Sequence, residues 1–284
     1  MSTSGTGNDR PAIDWKGSSA QAWVDTQALL DVMFQPLEER LVQAVPRGAQ
    51  MQVLDVGCGT GGTTVAAARR LGSAGSCVGI DISRPMIDAA EKRGATEGLP
   101  VRFLRDDAQT HAFTPAGFDL IISRFGVMFF EDFTAAFRNL RQAARPGAGL
   151  RFIAWRGAEE NPFMTMAEQA ARPMLPQLPP RRPDEPGQFA FARGERIRDI
   201  LQSSGWTAIE IEPIDVACTF PESELLAYLG SMGPVGRALQ QADENTRQHV
   251  IAIVRPRFDR FVNGDTVNFT AACWDVSAEA DLLR

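Results

Sequence analysis

The chain has 284 residues, enough for one large α/β domain with an elaboration or for two small domains. Its 29 basic and 35 acidic residues leave a net charge of −6, so no basic face is implied, which argues against a nucleic-acid or anionic-membrane partner. Lysine is confined to Lys16 and Lys92, which makes a lysine Schiff base or lysine general base a poor reading. Cys58, Cys77, Cys218 and Cys273 form no C-x-x-C pair and no His/Cys cluster of metal-ligand spacing, so they read as small buried thiols and no metal is expected. No secretory signal and no apolar run of membrane-spanning length is visible, so a reducing cytoplasm is the expected compartment.

Residues 1–17 are mostly polar and small and read as a disordered tail. From about 18 to 45, Trp23, Leu29, Leu30, Met33, Phe34, Leu37 and Leu41 recur at helical spacing, and Pro36 is expected to break or kink that helix. From Met51 the pattern alternates. Strands read at 51–56, 76–81, 100–105, 118–123 and 149–155, and helices at 60–71, 84–94 and 132–144. Such alternation means right-handed crossovers and a mostly parallel, doubly covered sheet. A helix follows at 161–175, then a proline-rich stretch, Pro173 to Pro186, that reads as an irregular surface connector or part of an active-site rim. Arg193–Ser204 reads as a helix and Thr207–Phe220 as a strand. Glu222–Gln240 and Asp243–Phe261 read as two helices, and Val267–Trp274 as a last strand.

Parallel sheets bind ligands outside the carboxyl ends of their strands. Asp55, Asp81, Asp106, Asp107, Ser123 and Arg124 end strands there. The richest segment is Val53-Leu-Asp-Val-Gly-Cys-Gly-Thr-Gly-Gly62, followed by Val78-Gly-Ile-Asp81. A strand, a glycine turn and a helix start, with a second strand ending in an acid about twenty residues on, is a nucleoside-binding layout. Gly57, Gly59 and Gly62 satisfy G-x-G-x-x-G, which alone is weak. Asp55 decides between ligands. A dinucleotide brings an anionic pyrophosphate to that turn, and a carboxylate would repel it. The same carboxylate suits an ammonium or sulfonium group, which favours S-adenosylmethionine over NAD.

The chain resembles the class I S-adenosylmethionine-dependent methyltransferases of the UbiE-like small-molecule type. Five segments carry the resemblance, in order and at normal spacing: Leu54–Gly61, Gly79–Met86, Asp106–Gln109, Phe118–Met128 and Leu140–Gly147. It is strong over roughly 50–155 and weak elsewhere. Ala148 departs from the second glycine of many relatives. The resemblance implies a Rossmann-like, doubly wound, seven-stranded, mostly parallel sheet with an antiparallel last strand, N-terminal helices and a helical cap. The corresponding division is a helical lid over 18–48, a cofactor-binding core over 49–160 and an insertion at the active-site rim over 161–192. Residues 193–220 and 265–284 complete the sheet, and 221–264 form a helical cap.

It also implies roles. Asp81 accepts from the ribose hydroxyls, because its two oxygens match a vicinal diol. Gly57, Cys58 and Gly59 run under the methionyl part, with Asp55 facing its ammonium group. Asp107, with Asp106 as competitor, takes the adenine amino group beside Ala108 and Gln109. Ile82 and Met86 sandwich the ring, the Ser123 carbonyl and Arg124 meet the methionyl end, and Trp23 and Gln27 close over the ligand. Phe34, Phe125, Met128, Phe129, Phe163, Phe191 and Met232 are the candidates for an apolar acceptor pocket. His111, Arg124, Tyr228 and His249 are the only candidates for catalytic groups.

The expected function is methyl transfer to a small, aromatic or apolar metabolite on O, N or C by in-line displacement, with S-adenosylhomocysteine as product. A monomer or homodimer without nucleic-acid or membrane partner is expected. Two rivals stand beside it: a non-catalytic S-adenosylmethionine- or S-adenosylhomocysteine-binding protein on the same fold, and an NAD-dependent reductase. The reductase usually needs Tyr-x-x-x-Lys, whereas Tyr228 is followed four residues later by Met232.

Overall fold

The computed structural model describes residues 15, 17–182 and 184–281, so most of the expected tail lies outside the described residues. Helices α1 (Ser18–Asp25) and α2 (Gln27–Val42) come first. They part at Thr26, not at Pro36. The Thr26 hydroxyl bonds back to the Ala22 carbonyl at 2.6 Å, ending α1. Pro36 stays inside α2, and the carbonyl its missing N–H would serve belongs to Val32, an exposed residue.

The alternating unit follows as read: β1 (Gln52–Val56), α3 (Gly62–Leu71), β2 (Ser76–Asp81), α4 (Arg84–Glu97), β3 (Val101–Arg105), β4 (Phe118–Arg124), α5 (Phe133–Ala143) and β5 (Ala144–Trp155). Then come α6 (Pro162–Ala171), α7 (Gly194–Ser203), β6 (Trp206–Pro221), α8 (Leu225–Ser231), α9 (Gly233–Gln240), α10 (Glu244–Val254), β7 (Val262–Asn263) and β8 (Thr266–Ala280). The sheet order is β3-β2-β1-β4-β5-β8-β6, with β7 added on β8. β1 to β5 pair in parallel, and β8 runs antiparallel to both β5 and β6. The sheet therefore has eight strands where seven were expected, the extra one being the two-residue β7. The strand order reverses between β1 and β4, which makes their carboxyl ends the natural ligand crevice.

Both faces are covered. Phe152 packs on Phe137 of α5, while Trp155, three residues on and so on the opposite face, packs on Phe34 of α2. α2 is fastened to its face by Asp275 of β8. That buried carboxylate accepts from Arg40 Nε at 2.6 Å and from Arg151 Nε and Nη2 at 2.9 and 2.7 Å.

β5 stops at Trp155, opposite Cys273, but β8 runs on and stays paired with β6 out to Thr266. Asn161 takes over where β5 ends. Its side-chain oxygen accepts from Ala272 N–H and its nitrogen donates to Ala272 O, both at 3.0 Å, so a side-chain amide stands in for a strand. The β6–β8 ribbon carries a cap of α6 and α8–α10 around Phe163, Phe220, Tyr228, Phe258, Phe261 and Phe269. Two corrections belong here. The single helix expected over 222–240 divides at Met232, whose extended backbone (ψ 151°) ends α8 and opens α9 at Gly233. Three helices, not two, therefore separate the last long strands.

Candidate functional site

β1 ends in the glycine turn. Gly57, Gly59 and Gly61 have φ of +68°, +54° and +82°, a region costly for other residues. Gly57 also lies against Gly126, after β4: a Cβ on Gly57 would fall 2.6 Å from the Gly126 Cα. The two turns at the switch point thus touch backbone to backbone. At Gly59 a Cβ would meet only the Met86 sulfur, at 3.7 Å, so the turn is open on that side and Met86 borders it.

Asp81 reaches across from β2. Its Oδ2 accepts the Gly59 N–H at 2.9 Å and its Oδ1 the Ser83 N–H at 2.8 Å. Burial raises its pKa, and the bonds from Ser83, Gly59 and Ile82 oppose that rise. Asp55, only 1% exposed, accepts from the Thr64 hydroxyl of α3 at 2.7 Å. Burial pushes its carboxyl up to about 7, against the pull of Thr64 and Arg124.

After β3, Asp107 Oδ1 accepts the Gln109 N–H at 2.9 Å. Asn139 of α5 donates to the carbonyls of Ala108 and His111, and Gln109 Oε1 accepts from Asp132 N–H. The loop is pinned from α5, a role for Asn139 and Gln109 that the sequence did not reveal. His111 Nδ1 lies 2.7 Å from Asp106 Oδ2, so these two are engaged with each other. The Ser123 hydroxyl, fully buried, donates to Val56 O at 2.7 Å and ties β4 to β1.

The helices before β1 bring more charge than the sequence suggested. Glu38 Oε2, Arg93 Nη1 and Asp31 Oδ1 all lie 3.0–3.3 Å from where a Cβ on Gly62 would stand, so that glycine admits them to the start of α3. Arg93 pairs with Asp31 at 2.6 Å, and Arg124 reaches Phe34 O at 3.4 Å and Glu38 at 3.8 Å. Burial raises the Glu38 pKa, Arg124 counters it, and Asp31 adds to it. Asp31, Glu38, Asp55 and Asp81 thus outnumber Arg93 and Arg124 around the turn, which suits a cation.

Phe125, Phe34 and Trp155 form one aromatic group at the ends of β4 and β5. Phe125 and Trp155 stack at 4.7 Å and 8°. Phe125 holds φ +68°, a conformation that costs on the order of 1–3 kcal/mol for a non-glycine residue and collects at functional sites. Trp15 meets Trp23 and Phe129 edge-on, which brings the N-terminal segment to the turn after β4. Thr26 Oγ1 lies 3.4 Å from the Met232 sulfur, so the N-terminal helices and the cap touch. The proline-rich stretch is tied to the same place, Gly187 N–H donating to Met128 O at 2.9 Å.

Other candidates lie elsewhere. Phe191, fully buried, is absorbed by the core with Phe133, Phe137 and Phe152, and Phe163 sits within the cap's own ring cluster. Met128 is buried, its sulfur facing the Trp155 N–H at 3.4 Å. His249 is exposed on α10, and Tyr228 is packed in the cap with its hydroxyl 3.6 Å from the Met164 sulfur.

The comparisons agree with this geometry. Residues 53–147, from the glycine turn through β4 to the turn before the exposed part of β5, match the family model described as a methyltransferase domain. The chain carries a class I methyltransferase domain. Outside it, likeness thins. A nocamycin O-methyltransferase from Saccharothrix syringae is 34% identical over 114 residues, 40% of this chain and 41% of that protein. An aklanonic acid methyltransferase from a Streptomyces species is 33% identical over 120 residues, 42% and 54% of the two chains. The chain thus spans about half the length of the curated relatives it matches. Among solved structures, a SAM-dependent methyltransferase from Aquifex aeolicus aligns with TM-score 0.51 at 15% identity, over 93% of this chain and all of that one. A Haemonchus contortus phosphoethanolamine N-methyltransferase, solved with S-adenosylhomocysteine, aligns with TM-score 0.56 at 18% identity, over 94% and 61%. At these identities the structures speak for the fold of the methyltransferase domain and its surrounding elements.

Proposed function

We propose that this chain binds S-adenosylmethionine at the glycine turn and transfers its methyl group to a small-molecule acceptor with an apolar, aromatic body. The observation that carries the reading is the setting of Asp81. Each of its oxygens spends one lone pair on a backbone N–H, from Gly59 or Ser83, so the carboxylate is fixed with lone pairs left for a vicinal diol. The surrounding groups fit the same ligand. Asp107 keeps Oδ2 for an amino group, and no described residue accepts from the Ala108 N–H. Gln27 Oε1 and Ser83 Oγ are buried without hydrogen-bond partners, at the start of α2 and beside Asp81. Asp55 and Glu38 supply negative charge for an ammonium group.

S-adenosylmethionine supplies an electrophilic methyl, whose bond to sulfur breaks as the acceptor's lone pair attacks. The chain's own residues hold and shield that encounter. Asp81 and Asp107 fix the nucleoside end, and the Gly57–Gly126 contact sets the floor. Phe34, Phe125 and Trp155 keep water from the ends of β4 and β5. His111 is engaged by Asp106, His249 is exposed and burial raises the Tyr228 pKa, so alignment and desolvation carry the rate in this reading. Incubation with methyl-tritiated S-adenosylmethionine and panels of phenols, amines and carboxylic acids tests it. Label in one class of acceptor is expected. Donor binding with no label transferred to any class would instead favour a non-catalytic binding protein.

A further inference from the structure

Arginines in this chain are almost all engaged once they leave the surface. Among the described residues every arginine that is not exposed, with one exception, donates to a carboxylate or a carbonyl, from Arg40 to Arg255. The exception is Arg237, half-buried on α9. It feels the field of Glu168 on α6, but that buried carboxylate is already taken: Oε1 by Arg172 and Oε2 by Arg181, the latter at 2.8 Å. Arg237 therefore has no carboxylate oxygen within reach of a bond among the described residues. Burial lowers its pKa, yet a guanidinium keeps its charge in any protein setting. A half-buried charge without a counter-charge is costly. It makes physical sense where a ligand supplies the missing anion.

Its position fits an acceptor. α9 opens directly after Met232, the residue that meets Thr26 where the cap touches the N-terminal helices. Arg237 is five residues further on, roughly 7 Å along the helix axis at the usual rise. α6, which bears Glu168, follows closely on the carboxyl end of β5. A chain of net charge −6 repels organic acids in general, so a site for one needs a dedicated cation.

We propose that Arg237 binds a carboxylate of the methyl acceptor, which is then an organic acid with an apolar body; this rests on the methyl-donor reading above. The test is isothermal titration of the full chain, first with S-adenosylhomocysteine and then, once saturated, with 1-naphthoate and with its neutral counterpart 1-naphthylmethanol. Wild type is expected to prefer the carboxylate roughly 10- to 100-fold, as for a hydrogen bond to a charged group. Arg237→Gln should lose that preference, and Arg237→Lys should keep part of it. Both variants should bind S-adenosylhomocysteine within about twofold of wild type, which reports an intact fold. An unchanged preference in Arg237→Gln, or no preference in wild type, overturns the assignment while leaving the donor reading standing. Failure of wild type to bind S-adenosylhomocysteine overturns both.

Discussion

Asp55 ties donor binding to pH. Its carboxyl titrates at about 7 in the folded protein against an ordinary 3.8, chiefly because it is buried. The folded chain therefore holds a proton that the unfolded chain has lost between those two values. Stability drawn from this group is full below pH 3.8 and falls as pH rises through 7. Above 7 the buried carboxylate is charged, and a cationic ligand offsets its cost. S-adenosylhomocysteine affinity is thus expected to rise between pH 6 and 8, by up to roughly tenfold per unit. Asp55→Asn should flatten that profile in a titration series. Asp81→Ala should weaken the same binding by about 1.5–3 kcal/mol, the usual range for a hydrogen bond to a charged group. Gly126→Ala should destabilise the fold by about 1–3 kcal/mol in urea unfolding, since overpacking here forces backbone apart. Its new Cβ would stand 2.7 Å from the Gly57 Cα and closer still to Val56 O. Asp55, Asp81 and Gly57 were legible from residue type and spacing alone. Gly126, Thr64 and Glu38 were not, because their roles exist only once segments distant in sequence are brought together.

Among the elements, α2 is the one whose attachment can be measured. Asp275 holds it to the sheet through Arg40 and Arg151. Burial alone would raise the Asp275 carboxyl, but the bonds and charges of Arg151 and Arg40 outweigh that and leave its pKa below 3.8. Its contribution to stability is therefore present above pH 3.8 and lost as pH falls below it. Asp275→Ala should cost about 3 kcal/mol in chemical unfolding, the lower part of the range for a broken buried pair, because Arg40 and Arg151 keep some contact with water. The helical stripe of α2 was readable at Leu30, Met33, Leu37 and Leu41. Its start was not. Thr26 ends α1 by a local hydroxyl bond, while Pro36 costs little because it deprives only an exposed residue of a partner. Met232 divides α8 from α9 in the same unannounced way, at a point where the cap turns to meet Thr26.

For the molecule as a whole, the alternation of strands and helices fixed the expectation of a parallel, doubly covered sheet, and the five motif segments located the donor crevice. The cap was harder. Helical spacing gave its helices, but the β6–β8 ribbon that carries them depends on pairing between strands more than forty residues apart and on Asn161 replacing β5 at its end. Phe163 and Phe191 illustrate the limit: apolar type marked them as buried, and only the packed structure distinguished core from acceptor wall. No helix among the described residues is long and apolar enough to cross a membrane. The most direct test of the account is isothermal titration of the full chain with S-adenosylhomocysteine and, separately, with NADH. Saturable binding of S-adenosylhomocysteine, weakened in Asp81→Ala, with no binding of NADH, is the predicted result. Saturable binding of NADH and none of S-adenosylhomocysteine would contradict it.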